Sequence, residues 1–236
     1  MGNAYHEVKA VPDLANEPPE YRDAICKIVV SHAVNELYGA QVFDEPAIAY
    51  APTPYAKWLT CRIAMEEYHH HVRFKALADE LGVPAEATDP KVKRPLSIFG
   101  FKLKTWPEFC VIKLLADLAE ILQVEDLLHC SFIPLRTIGR VTMPEEKFHA
   151  QFGKDFCTEL CKTAEGRAQV QKAIDDYAPF LPQFFGAAGS KNNETYRKYA
   201  LKERKNEEMR EDFLNRGRAI VDSIGLRFPD LGAAQE

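Results

Sequence analysis

Two glutamate–histidine pairs at helical spacing constrain this 236-residue chain more than any other feature. One lies in Met65-Glu-Glu-Tyr-His-His-His71 and the other in Glu145-Glu-Lys-Phe-His149. Residues three apart share a face of a helix. Each E-x-x-H pair can therefore offer a carboxylate and an imidazole to one cation. Two such pairs on facing helices, joined by one carboxylate from each of two further helices, make a di-iron or di-manganese site inside a bundle.

The first motif reads two ways, because Glu66 with His69 and Glu67 with His70 both fit. The apolar stripe separates them. Ile63, Glu67, His70, Phe74, Leu77 and Leu81 fall on one seam, whereas Glu66 and His69 share theirs with Arg62, Arg73 and Glu80. An apolar stripe faces the core, so Glu67 and His70 are expected to point inward and Glu66 and His69 outward. In the second motif Glu146, His149, Gly153, Phe156 and Leu160 form the matching seam. In both motifs another Glu precedes the inward one.

The same test finds two more acids. Glu36 is the only charge on the stripe Val29, Ala33, Glu36, Ala40 and Phe43. Asp117 is the only charge on Cys110, Leu114, Asp117, Ile121, Val124 and Leu128, with Glu120 one turn on as the competing ligand. A buried charge must be paired or neutralised. Two cations neutralise four carboxylates, so Glu36, Glu67, His70, Asp117, Glu146 and His149 are the expected metal ligands, with Glu67 and Glu146 bridging. Carboxylates and imidazoles with open positions suit non-haem iron, and manganese fits the same set. His32 and His71 are read as surface groups or as supports behind the ligands.

Helical periodicity runs through the chain with no alternating strand pattern. Helices are predicted at about 21–43, 55–81, 106–130, 134–164, 168–185 and 194–224. Thr53 before Pro54 and the capping box Thr105-Trp-Pro-Glu108 mark two starts. Gly82 and Pro84 mark a stop. Pro144 is expected to kink or split the fourth helix. The predicted architecture is all-α: an N-terminal extension (1–20), a ferritin-like four-helix bundle (21–165) and additional C-terminal helices packed on it (166–236).

Composition narrows the class. A net charge of −5 with mixed signs argues against a general nucleic-acid binder. Basic clusters at Lys91, Lys93 and Arg94, and from Arg197 to Lys205, read as solvated faces, with a landing site for a phosphate-bearing ligand as the alternative. Six scattered cysteines form no C-x-x-C pair, so neither a disulfide framework nor a zinc site is expected. No apolar run has membrane-spanning length and no signal peptide is visible, so a cytoplasmic protein is expected.

Three blocks carry a family resemblance: Asp117-Leu-Ala-Glu-Ile-Leu-Gln123, Ser131-Phe-Ile-Pro134 and Glu145-Glu-Lys-Phe-His149. With Phe184-Phe-Gly186, the Tyr196 to Lys202 stretch, Asn206-Glu-Glu-Met-Arg210 and Gly225-Leu-Arg-Phe-Pro-Asp230, the chain resembles the catalytic subunit of phenylacetyl-CoA epoxidase and its benzoyl-CoA relatives. In that family an Asp precedes the Glu of the second E-x-x-H by the interval that separates Asp117 from Glu146. The resemblance covers about 24–230. It implies a ferritin-like fold and the same six ligands. It also implies two iron ions, O2, and an external electron donor acting through a reductase.

The resemblance implies oxygen insertion into an aromatic or unsaturated small molecule, an aryl-CoA thioester in the family's own case. It further implies a related non-catalytic helical subunit. An oligomer is expected, with no nucleic-acid or membrane partner. The chain departs from the family in its shorter N-terminal segment, in Pro144 and in the run His69-His70-His71. The alternative functions are a di-iron hydroxylase or oxidase with a different substrate, a non-catalytic ferritin-like partner, and iron storage or peroxide scavenging.

Overall fold

The computed structural model describes residues 5–231. Residues 1–4 and 232–236, the outer ends of the two expected extensions, lie outside the described residues. Eight α-helices are present among them: α1 (Pro19–Gly39), α2 (Glu45–Tyr50), α3 (Pro54–Glu80), α4 (Trp106–Leu127), α5 (Ile133–Leu160), α6 (Ala164–Tyr177), α7 (Lys191–Lys198) and α8 (Asn206–Ser223). No strand forms among the described residues, and Val8 makes a single bridge to Phe132. No helix among the described residues is long and apolar enough to cross a membrane.

The bundle is two helical hairpins. α1 packs on α3 and α4 packs on α5, and the hairpins close around the seams that carry the acids and histidines. Local chemistry sets the helix starts as expected. The Thr53 hydroxyl accepts from the Ala56 N–H at 3.1 Å, and Thr105 and Glu108 form a reciprocal capping box. Gly82 ends α3 in the left-handed region at φ 69°.

α4 is apolar on every side, and 17 of its 22 residues are buried. Such a helix must be covered all round. α5 covers one side, and α6, α8 and the 3-10 segment Ala178–Phe185 cover another. Phe213 of α8 is fully buried in this second layer and lies 5.5 Å, ring to ring, from Phe185. Phe213→Ala is expected to cost about 3–5 kcal/mol, read as a lowered urea midpoint with an unchanged slope.

Two expectations about the helices need correction, and a third is narrowed. The helix predicted at 194–224 is two helices, α7 and α8, separated by a break in which Ala200 has φ 50°. Tertiary bonds hold this break: the Ser131 N–H donates to Ala200 O at 2.8 Å, and the Arg204 Nε donates to Asp126 Oδ1 at 2.7 Å. The helix predicted at 168–185 starts earlier, at Ala164, and tightens into a 3-10 segment from Ala178. α5 is not split, although Pro144 lies inside it. Pro144 faces outward, so water can serve the Arg140 carbonyl that it leaves free.

α1 runs into a π-turn, Ala40–Asp44, before α2. This wider turn brings both Phe43 and Asp44 into the interior.

Candidate metal centre

All six expected residues are buried and converge between the hairpins. They form two quartets. Glu36, Glu67, His70 and Glu146 each offer an atom within 4.8 Å of the others, as do Glu67, Asp117, Glu146 and His149. Glu67 and Glu146 belong to both. Glu67 places Oε2 3.6 Å from His70 Nδ1 and Oε1 3.1 Å from His149 Nδ1. Glu146 places Oε1 3.0 Å from His70 Nδ1 and Oε2 3.9 Å from His149 Nδ1. Each shared carboxylate thus divides its two oxygens between the quartets.

The donors fit a pair of cations. His70 Nδ1, His149 Nδ1, Glu146 Oε1 and Asp117 Oδ2 are buried without a hydrogen-bond partner. Buried polar atoms are rarely left so. His70 Nδ1 and Glu146 Oε1 lie 3.0 Å apart without forming a hydrogen bond. The charge and chemistry of the set fit iron.

The far nitrogens of the imidazoles are engaged, and the braces cross. Glu145, from α5, lies 2.9 Å from Nε2 of His70 on α3. Glu66, from α3, lies 2.8 Å from Nε2 of His149 on α5. Arg73 donates to Glu145 at 2.5 Å, and Arg62 donates to Glu66 at 2.9 Å. A carboxylate behind a ligating imidazole fixes its tautomer and orientation; here Nδ1 is left facing the cluster. Glu66 therefore departs from expectation: it leans from the edge of the outward face of α3 into the α3–α5 seam.

Charge is shared through the cluster. Burial pushes the Glu67 carboxyl up, but the Lys113 ammonium and the neighbouring His149 and His70 imidazoles outweigh it and hold the group well below the usual range. Burial, with Glu67 close by, raises Glu146, and burial raises Asp117 well above its ordinary value. Burial opposes protonation of His149, yet Glu66 and Glu67 lift it to about 10. Burial opposes His70 likewise, and Glu145, Glu146, Glu36 and Glu67 lift it well above its ordinary value. Without metal, protons on the imidazoles carry part of the compensating charge.

Lys113 and Asp44 were missed by the sequence reading. Lys113 Nζ lies 2.7 Å from Glu67, 3.0 Å from Asp44 and 3.2 Å from Asp117. A signal existed, since Lys113 is the only basic residue in α4 and stands one turn before Asp117. Asp44 gave none, because only the π-turn brings it in. Glu120, the competing ligand, lies 3.1 Å from His32 instead, in a separate group with Glu36. His71 Nδ1 bonds the Ala33 carbonyl oxygen at 2.7 Å and belongs to neither quartet.

A cavity of about 60 Å³ adjoins the cluster, lined by Glu36, Glu67, Asp117, Glu146 and the apolar Phe43 and Ile112. A second cavity, of about 240 Å³, shares Asn35, Glu120 and Phe184 with it. Lys27, Lys202, Asn193 and Asn206 give the larger one a polar lining.

Comparison with known proteins gives the chain its relatives. A family model described as phenylacetic acid catabolic protein matches residues 8–236. The chain is 26% identical over 220 residues to one of the subunits of 1,2-phenylacetyl-CoA epoxidase from Escherichia coli K12, covering 90% of this chain and 71% of that protein. In fold it is similar to a Synechococcus protein with aldehyde deformylating oxidase activity, with a TM-score of 0.67 and 17% identity over 89% of this chain and 93% of that one.

Proposed function

We propose that this chain, which belongs to the phenylacetic acid catabolic protein family, is a di-iron oxygenase that inserts one atom of O2 into an aromatic or unsaturated acyl thioester of the aryl-CoA class. The chain is an oxygenase enzyme. Glu36 and His70 would hold one iron and Asp117 and His149 the other, with Glu67 and Glu146 shared between the two. The division of the Glu67 and Glu146 oxygens between the two imidazoles carries this reading. Bundle residues 21–165 supply the ligands, and the described part of 166–236, residues 166–231, covers α4 and helps wall the larger cavity.

Bound iron supplies the redox chemistry that reduces O2 with electrons from an external donor, reached through a reductase. The protein's own groups prepare the site. Glu145 and Glu66 hold the two imidazoles with Nδ1 inward. Lys113 fixes Glu67 and Asp117 and offsets the charge of the acids. Phe43 and Ile112 keep water scarce on one side of the small cavity. The larger cavity receives the organic substrate, and its lysine and asparagine side chains suit a polar acyl carrier. A related helical subunit completes the system; the Escherichia coli relative is itself named as one subunit of its enzyme.

The test is to load the protein with iron(II), reduce it anaerobically and admit O2 with phenylacetyl-CoA, benzoyl-CoA or the free acids. Faster O2 uptake with a thioester, and a product heavier by one oxygen, are expected. Equal uptake without organic substrate would instead indicate peroxide chemistry or iron storage, and a protein that binds no iron would reject the proposal.

Metal must displace protons from the imidazoles. A raised histidine pKa stabilises the metal-free fold below the unfolded value of about 6.5. That contribution fades as pH rises through the folded value, about 10 for His149. At pH 7 iron(II) binding is therefore expected to release about two or more protons per chain, with weaker loading as pH falls. Titration calorimetry in buffers of different ionisation enthalpy reads this directly. Binding without proton release would show that the imidazoles are neutral beforehand.

A further inference from the structure

The helical layer behind α4 sends one polar group toward the metal cluster. Tyr177 is the last residue of α6 and continues its buried stripe of Val170, Ala173 and Ile174. That stripe packs α6 on α4, and a purely apolar side chain would have completed it. Tyr177 instead ends in a hydroxyl that is buried without a hydrogen-bond partner. A buried tyrosine hydroxyl ordinarily finds one. The ring meets Phe43 at 6.2 Å and Phe101 at 5.2 Å, both edge to face. Burial and the nearby Asp117, with Asp44 adding to them and Lys113 opposing, hold the phenol well above its ordinary value. The hydroxyl therefore faces the charged cluster, stays protonated and can donate.

Tyr177 also lines the small cavity of about 60 Å³, together with Glu36, Glu67, Asp117 and Glu146. Size decides what this cavity can hold. A buried water needs about 10–15 Å³, and benzene sits in a cavity of about 150 Å³. The space thus takes a ligand of two or three heavy atoms and refuses an aromatic ring. The donors around it are few. Ionised carboxylates cannot donate, and Lys113 is engaged by Glu67, Asp44 and Asp117. Asn35 stands where the small cavity meets the larger one. On the side walled by Phe43, the Tyr177 hydroxyl is the donor that remains.

We propose that Tyr177 hydrogen-bonds a small oxygen or nitrogen ligand, O2 or an anion of its size, held in this cavity beside the metal pair. The inference rests on the di-iron reading and adds to it a group from the second helical layer. The phenol orients the ligand and keeps its own O–H bond. The organic substrate, too large for this space, stays in the larger cavity.

Azide, a three-atom anion that accepts hydrogen bonds, is the probe. The full chain is loaded with iron, oxidised to iron(III) and titrated with azide under visible absorption. Tyr177→Phe keeps the ring and removes only the hydroxyl. Its azide dissociation constant is expected to rise about tenfold. Iron content and melting temperature are expected to hold, because the hydroxyl has no partner within the chain to lose. The infrared stretch of bound azide is expected to shift between H2O and D2O in the wild type but not in Tyr177→Phe, which a purely structural role would not produce. Equal azide affinities would overturn the proposal. So would a wild-type stretch indifferent to D2O, or a shift that persists in Tyr177→Phe. Metal analysis separates two kinds of failure: a wild-type chain that takes up no iron rejects the di-iron reading and this inference together, whereas iron-loaded proteins that bind azide alike reject this inference alone.

Discussion

Alanine at Glu67 or at Glu146 is expected to lower iron content from about two per chain to below one. Each residue gives one oxygen to either quartet, so each substitution removes a donor from both sites at once. Loss of an outer partner of a ligand already costs about 10–100-fold in metal affinity, and loss of a bridging ligand should cost more. The folded protein should survive. Burial and like charge disfavour the Glu146 anion, so its removal relieves part of the strain of grouping acids, while Glu67→Ala leaves Lys113 paired with Asp44 and Asp117. Metal analysis of the purified variants, with thermal melting as the check on folding, decides the matter. Two irons retained in either variant would refute the bridging assignment.

Gly153→Ala is expected to cost about 3 kcal/mol or more, a large stability loss for the smallest change of side chain. A Cβ at Gly153 would lie 2.3 Å from the Leu114 N and 2.7 Å from the Cys110 carbonyl oxygen. Both contacts are backbone, so no rotamer change relieves them, and α4 and α5 would have to separate. Gly153 stands one turn beyond His149 on the same seam, and Leu114 lies one turn before Asp117. The close crossing therefore also sets how near Asp117 comes to Glu146. Gly139→Ala is a milder comparison, because its Cβ would meet a side-chain atom, the Leu127 Cβ, at 3.0 Å. Urea titration of the two variants should show a much lower midpoint for Gly153→Ala. Equal midpoints would mean that the helices yield easily at this point.

The two expectations share a cause. The metal cluster sits where the α4–α5 hairpin, closely packed at Gly153, faces the α1–α3 hairpin. The cluster can be dense in charge because the surrounding helices are fixed by apolar packing: Phe109, Leu114 and Leu115 are fully buried. Packing of this kind holds donors in place without metal, and the unpartnered His70 Nδ1 and His149 Nδ1 are its visible result.

The sequence by itself determined the helices, the inward faces and the six converging residues. A seam of period 3.6 is a local property, and an acid or histidine on it stands out because its neighbours are apolar. The caps at Thr53 and Thr105 are local in the same way. Tertiary structure decided what depends on two segments meeting. Glu66 sits at the margin of an outward face when α3 is read alone, and only the antiparallel neighbour α5 supplies the His149 imidazole that draws it in. Lys113 gains a role only beside Glu67 and Asp44, which come from other segments. The break between α7 and α8 has no proline or glycine to announce it, because bonds from Ser131 and to Asp126 replace those of the helix. Periodicity records which way each residue points, but the partner it meets is set by packing across the bundle.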